Sequence, residues 1–103
     1  MDYTSYRWIK LAEKAKRRDK YLCQRCLRYG RKREAKLVHH ILPAEDWPEY
    51  QWCDWNLISI NDATHRQLHE PYTKALTPLG QELADEVAEE HGIRLTTVTL
   101  VIG

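Results

Sequence analysis

The chain has 103 residues, enough for one domain with a modest hydrophobic core. Its composition, 43% apolar and 30% charged, is typical of a folded globular protein, so a disordered chain is excluded, and no apolar run is long enough to span a membrane. The net charge of +1 hides a strong segregation, because residues 1–38 carry +9 and residues 39–103 carry −8.

The basic N-terminal third supports two interpretations. Thirteen Lys and Arg against four Asp and Glu in residues 1–38 can form a phosphate-binding surface, or they can be the solvated face of a helix. Residues 1–4 do not begin a secretory signal, so we expect a cytoplasmic location. The three cysteines, Cys23, Cys26 and Cys53, include one C-x-x-C pair, which favours a metal site or reduced thiols over a disulfide framework.

The first half of the chain predicts a helix, a turn, a loop and a strand. Ser5 can cap a helix from Tyr6 to near Lys20. Residues 21–26 indicate a turn of the zinc-knuckle kind, and residues 29–33 a basic loop. Residues 35–39 predict a strand. The predicted apolar stripe of the helix consists of Tyr6, Ile9, Leu11, Ala12 and Ala15.

The second half predicts a loop over residues 45–54 and a second strand over 57–60. Asn61 or Asp62 then caps a helix that runs to about Glu70, where Pro71 ends it. A last helix is expected from Pro78, capped by Thr77, to His91, with Gly92 as its stop. Residues 95–102 are expected to form a final strand or an ordered tail.

Four of the five histidines fall in one pattern. His65 and His69 are four residues apart, so on one helix they would share a face and could bind one metal ion. His39 and His40 are neighbours in a strand, where side chains alternate, so one can serve as a ligand and the other as a base. Hydrolysis of a phosphodiester bond needs both a base for water and a cation for the phosphate.

Residues 18–70 resemble the HNH nuclease family, whose core is a β-hairpin and a helix around one metal ion, the ββα-metal motif. The segments that carry the resemblance are RDKYLCQRC, LVHHILP, NLISI and THRQLHE, and LTPLGQELADEVAEEHGI is similar to the C-terminal helix of small phage members. The resemblance implies an α+β fold in a single domain over residues 1–103, with flanking N- and C-terminal helices and the last helix over 77–91.

The resemblance also implies a role for each motif residue. His39, His65 and His69 are expected to bind one divalent ion, which can be Mg²⁺, Mn²⁺, Ni²⁺ or Zn²⁺. His40 is expected to be the general base, oriented by a backbone carbonyl, and Asn56 to brace the loop that helps hold this base.

The cysteines depart from the family pattern. Many phage members carry two C-x-x-C pairs around a structural zinc, whereas residues 61–64 of this chain contain no thiol. A structural zinc at Cys23 and Cys26, completed by Cys53 or a histidine, is weighed against a zinc-free variant, which we favour because two thiolates do not complete a tetrahedral site.

The sequence also suggests roles for the tryptophans of the loop and for several arginines. We expect Trp47, Trp52 and Trp55 to pack the loop against the domain rather than stack on bases. Arg66 can contact a phosphate or be a solvated helix residue, two interpretations that stay open. The candidate phosphate contacts are Arg17, Arg18, Arg25 and Arg66.

The predicted function is therefore metal-dependent cleavage of double-stranded DNA, by nicking or by double-strand cleavage. The resemblance implies a role in phage DNA processing or packaging, with terminase or other packaging proteins as partners in the cytoplasm of the bacterial host. The alternative is a non-catalytic DNA- or protein-binding module on the same fold.

Overall fold

The computed structural model describes residues 1–73 and 75–94, so the prediction for residues 95–102 lies outside the described residues. Within them the architecture is α+β, a two-stranded antiparallel hairpin with helices before and after it. Two short 3₁₀ turns, Pro48–Tyr50 and Asp54–Asn56, lie between the strands. The helices and strands are α1 (Tyr6–Arg18), α2 (Gln24–Arg28), β1 (Leu37–His40), β2 (Leu57–Ile60), α3 (Asp62–Leu68) and α4 (Pro78–Glu90).

Helix α1 begins at Ser5, whose side chain accepts a hydrogen bond from the Trp8 amide. It ends at Arg18 rather than near Lys20, because Lys20 adopts a left-handed conformation (φ 56°). The predicted apolar stripe is wrong at Tyr6 and Ile9, which are 73% and 54% exposed. The face that packs on the protein consists of Trp8, Leu11, Ala12 and Ala15.

Residues 22–34, which we call the knuckle, connect α1 to the hairpin. Cys23 caps α2 through its thiol, and Leu22 forms a β-bridge with Glu34 at the other end of the segment. The Ala35 amide donates to the Tyr21 carbonyl at 2.8 Å, so Ala35 closes the knuckle instead of starting the predicted strand. Strand β1 therefore begins at Leu37, two residues later than expected.

Strands β1 and β2 pair antiparallel, with Leu37 opposite Ile60 and His40 opposite Leu57. Side chains on one face of the hairpin join the main core. Side chains on the opposite face pack against α1. The residues of the main core are Cys23, Ala35, Ile41, Leu42, Ile60, Leu68, Leu83 and Ala84. Leu57 belongs instead to a second cluster with Trp8 and Ala15, which attaches α1 to the hairpin.

Helix α3 is capped by Asn61 and ends at Leu68, so the predicted end at Glu70 is wrong. Residue 70 precedes a proline, which disfavours helical backbone there. The Leu68 carbonyl instead accepts from the Thr77 amide at 2.9 Å. Gly80 permits this approach of α4, because a Cβ at residue 80 would lie 2.4 Å from the Leu68 carbonyl oxygen.

The last helix agrees closely with its prediction. Thr77 caps α4 through its hydroxyl, Pro78 occupies the first turn, and Gly92 follows with φ 65°. Among the helices of the described residues, none has the length and apolar character required to cross a membrane.

Candidate metal centre and active site

Three histidines meet where β1 lies beside the end of α3. His39 lies in β1, His65 lies in α3, and His69 follows α3 in extended backbone. Their ring centroids are 5.9 Å (His39–His65), 5.1 Å (His39–His69) and 5.4 Å (His65–His69) apart. One nitrogen from each ring lies within 4.8 Å of the other two. We call this group the histidine cluster.

The cluster forms for a different reason from the one that the sequence suggests. His69 is outside the helix, so the argument that His65 and His69 share a helical face is wrong. The residue is placed instead by an isolated β-bridge between His69 and Leu76, which turns the chain back beside α3. Tertiary pairing thus brings together the three predicted ligands.

One observation supports a metal ion at the histidine cluster. His39 is only 4% exposed, and within residues 1–73 and 75–94 its Nε2 and the Ser59 hydroxyl oxygen are the two buried side-chain polar atoms that have no hydrogen-bond partner. A buried polar atom without a partner costs about 1–3 kcal/mol. A cation that the cluster bound through this nitrogen would give Nε2 a partner and remove that cost.

The electrostatic environment of His39 also favours its role as a metal ligand. Its pKa is lowered from 6.5 to about 3, mainly by burial and then by the nearby imidazoles of His69, His65 and His40. The ring is therefore neutral at neutral pH, which is the form that binds a metal ion. Three imidazole nitrogens leave coordination positions open, as a catalytic site requires.

His40 lies on the opposite side of the strand from His39, as strand alternation predicts. Its Nε2 lies 2.9 Å from the Gln51 carbonyl oxygen. A carbonyl only accepts, so Nε2 carries the proton and Nδ1 is the nitrogen that can receive another one. Burial lowers the pKa of His40, and the Gln51 hydrogen bond opposes this shift. The ring is thus kept neutral in a fixed orientation.

Asn56 is fully buried and braces the loop between the strands. Its Oδ1 accepts from the Leu42 amide at 2.7 Å, and its Nδ2 donates to the Leu42 and Tyr50 carbonyls at 3.0 and 3.2 Å. Tyr50 precedes Gln51, whose carbonyl holds His40. Asn56 therefore acts on His40 through the loop, without touching the ring.

Sequence reasoning missed Trp8. The indole is 8% exposed and stacks on the His40 ring, with centroids 4.9 Å apart and an angle of 25° between the planes. Tyr3 packs edge-on against the indole at 5.3 Å. A signal was present in the sequence, because Trp8 continues the stripe of Leu11, Ala12 and Ala15 at helical spacing.

The loop tryptophans pack on the protein, as expected. Trp47 and Trp55 contact the main core, and Trp55 stacks on His91 with centroids 3.9 Å apart. The guanidinium of Arg7 lies 3.9 Å from the centre of the Trp52 ring. That contact attaches α1 to the residue after Gln51, so α1 supports both the ring of His40 and the loop that holds it.

The predicted phosphate-contacting arginines have different surroundings. Arg18 donates to both Asp19 carboxylate oxygens and to the carbonyls of Asp54 and Leu57, so its guanidinium is used within the fold. Arg17 is highly exposed, with Glu13 at 3.8 Å. Arg66 is exposed on α3, beside His65 in the chain.

The two thiols of the knuckle face α3. Sγ of Cys23 lies 3.5 Å from the Thr64 hydroxyl, and Sγ of Cys26 lies 3.8 Å from the same hydroxyl. The Asn61 amide donates to Cys26 Sγ at 3.6 Å. Among the residues that the structure describes, Cys53 does not join the two thiols in a group able to hold a metal. Threonine and asparagine thus stand opposite the C-x-x-C pair.

No protein-family model matches the chain, and no curated protein matches it. Among solved structures, the chain is similar to the HNH endonuclease of the deep-sea thermophilic bacteriophage GVE2, which was crystallised with manganese ion. The two structures superpose with a TM-score of 0.60 and are 32% identical, over 61% of this chain and 68% of that chain. This chain belongs to the HNH endonuclease family. The ββα core of the HNH fold corresponds here to β1, β2 and α3.

Proposed function

We propose that this HNH protein is a metal-dependent endonuclease that hydrolyses phosphodiester bonds of double-stranded DNA. The observation that carries the proposal is the buried His39, whose Nε2 has no partner among the described residues and whose ring belongs to a cluster of three imidazoles. The next residue, His40, is neutral and held in a fixed orientation. A module that only binds DNA has no need for such an arrangement, since burying an unpartnered nitrogen is costly.

His39, His65 and His69 would hold one divalent ion. When bound, the ion supplies positive charge for the phosphate and for the leaving oxygen of the broken bond. The manganese ion in the structure of the related phage enzyme supports a divalent metal here. Of the expected ions Mg²⁺, Mn²⁺, Ni²⁺ and Zn²⁺, imidazole nitrogens suit Ni²⁺ and Zn²⁺ most, whereas Mg²⁺ and Mn²⁺ prefer oxygen ligands.

His40 would act as the general base. With its proton on Nε2 directed at the Gln51 carbonyl, the ring accepts a proton from water at Nδ1. Trp8 restricts tilting of the imidazole by stacking on it, and Asn56 keeps the loop that carries Gln51 in place. A base held in one orientation is more effective, because less freedom is lost at the moment of reaction.

The DNA substrate is supported by charge. The +9 carried by residues 1–38 favours a polyanion, and Arg66 next to His65 can contact a phosphate close to the reacting bond. The phage source of the structural neighbour supports a role in phage DNA processing. That packaging proteins such as terminase choose the site is proposed from the family resemblance alone. Co-purification with terminase subunits tests that role separately.

A plasmid assay tests the proposed activity. Supercoiled plasmid is incubated with the protein and Mg²⁺, Mn²⁺ or Ni²⁺, beside His40→Ala and the matched variant His91→Gln, whose imidazole stacks on Trp55 and has no proposed part in the chemistry. We expect nicked or linear DNA from the parent and from His91→Gln, and a rate about 10²–10⁴-fold lower from His40→Ala. An intact plasmid with every metal would favour a binding module instead.

A further inference from the structure

Three arginines of the basic N-terminal third meet helix α3 at a concave surface. It is a groove of ≈ 600 Å³ between the knuckle and α3. Arg25, Arg31 and Arg33 line its knuckle side, and Thr64 and Gln67 line its α3 side. We call it the arginine groove. His65 lies one residue from Thr64, so the same short helix borders both the groove and the histidine cluster.

In the part of the chain that the structure describes, the three arginines of the groove have no acidic partners. Within residues 1–73 and 75–94, Arg28 forms an ion pair with Glu86, and cations of α1 form ion pairs with other acidic residues. None of the three groove arginines forms an ion pair in these residues. No acidic residue is among the described residues that line the groove. In a chain with fifteen acidic residues, this leaves a concave surface of uncompensated positive charge.

The backbone that presents these arginines is held in place. The Arg31 amide donates to the Cys26 carbonyl at 2.9 Å, and the Arg33 carbonyl accepts from the Cys23 amide at 2.8 Å. Arg25 donates to the Tyr29 hydroxyl at 2.9 Å and lies over the same ring. The three guanidinium groups therefore start from a fixed frame, which lowers the entropic cost of binding an anion.

We propose that the arginine groove binds consecutive phosphates of a DNA strand that passes over α3 from the histidine cluster. Guanidinium groups bind phosphates through paired hydrogen bonds, and each strand presents a phosphate about every 3.4 Å of helix axis, so a short run of backbone offers a phosphate to each of the three arginines. The proposal rests on the proposed function for its choice of DNA. It assigns Arg31 and Arg33 a binding role and gives Arg25 a defined site.

The test measures binding of a short fluorescent duplex by the full chain in EDTA, where no metal-dependent cleavage occurs. The groove variant carries Arg25→Gln, Arg31→Gln and Arg33→Gln. A matched control removes three exposed charges elsewhere through Lys20→Gln, Lys36→Gln and Arg94→Gln. We expect the groove variant to bind about tenfold more weakly, with a slope of log affinity against log salt smaller by about 2–3. The control should change both quantities much less.

Equal losses in the groove variant and the control, or no loss in the groove variant, would overturn the proposal. If the triple variant does not fold, as judged by circular dichroism, Arg31→Gln alone replaces it, since Arg31 holds the knuckle through its backbone amide, which the substitution keeps. It should lower the salt slope by about 1, and an unchanged slope would count against the groove. Failure of the nuclease proposal is recognised separately, as intact plasmid in the metal-containing assay.

Discussion

The histidine cluster and the knuckle use neighbouring residues of the same helix, but they satisfy their polar atoms in different ways. Helix α3 contributes His65 to the cluster, and the hydroxyl of its neighbour Thr64 contacts the thiols of the knuckle. In the knuckle, Cys23 Sγ accepts from the Cys26 amide at 3.4 Å and both thiols lie against the Thr64 hydroxyl. In the cluster, the buried Nε2 of His39 has no hydrogen-bond partner among the described residues.

This difference shows which of the two groups a bound ligand would stabilise. Thiols with hydrogen-bonding neighbours can stay buried at little cost, whereas an imidazole nitrogen without one is costly until a cation or another partner reaches it. The sequence already favoured a zinc-free C-x-x-C pair, because two thiolates do not complete a tetrahedral site, and the contacts of the thiols agree with that expectation. The following predictions test this contrast.

The largest expected effect follows from removing a ligand. His65→Ala should weaken binding of Mn²⁺ or Ni²⁺ by more than tenfold, because two imidazoles remain where three converged. Isothermal titration calorimetry measures the affinity, and thermal unfolding checks that the fold persists. His91→Gln serves as the control. Unchanged affinity would remove His65 from the metal site.

The next effect concerns the segment that places His69. Gly80→Ala should destabilise the protein by about 1–3 kcal/mol, because the added methyl group overlaps the Leu68 carbonyl and forces α4 away from the end of α3. Metal affinity should fall as well, since His69 follows Leu68. Urea unfolding measures the stability, with Glu82→Ala on the exposed face of α4 as the control. Full stability with normal metal affinity would contradict the close approach.

The pH dependence of the metal-free protein tests the buried state of His39. Its pKa is lowered from 6.5 to about 3 in the folded protein, so between these values the unfolded chain binds a proton that the folded one does not. Stability should be retained above pH 6.5 and fall on acidification, with a limiting slope of about 1.4 kcal/mol per pH unit for one proton. Urea unfolding of His39→Asn should show a flatter dependence, and an identical one would argue against a buried neutral His39.

Trp8 tests whether α1 contributes to the site beyond the hairpin and α3. Trp8→Leu keeps an apolar side chain but removes the stacking on His40, whereas Trp8→Phe preserves a ring there. We expect kcat for plasmid nicking to fall about tenfold in Trp8→Leu, as loss of an aromatic contact worth about 0.5–1.5 kcal/mol would allow, with partial recovery in Trp8→Phe. KM and metal affinity should be nearly unchanged. A change in KM alone would indicate a different role.

The smallest effect is expected in the knuckle. Thr64→Val removes the hydroxyl that contacts both thiols, so it should cost about 1 kcal/mol of stability. Metal affinity at the cluster should stay the same, although residue 64 precedes His65. Glu82→Ala on the exposed face of α4 is the control. A loss of metal affinity in Thr64→Val alone would show that the two groups are coupled.

Much of the fold follows from local sequence signals. Ser5, Asn61 and Thr77 cap α1, α3 and α4 as their side-chain chemistry predicts, and alternation in β1 directs His39 and His40 to opposite sides. These features depend only on residues within one turn or one strand, so the local sequence is enough to predict them. The order of the histidine and asparagine motifs also predicted the HNH fold, which is confirmed by the similarity to the phage enzyme.

Contacts that reach beyond a single helix or strand decided the rest. His69 joins the cluster through a bridge to Leu76 and not through helical spacing, and Trp8 reaches His40 because α1 packs on the hairpin. The missing partner of His39 Nε2 and the surroundings of Arg25, Arg31 and Arg33 likewise depend on which elements become neighbours. The sequence by itself determined which donors and charges were present. Only the tertiary structure decided which of them were buried, paired or left for a ligand, because burial and pairing are properties of contacts between segments far apart in the chain.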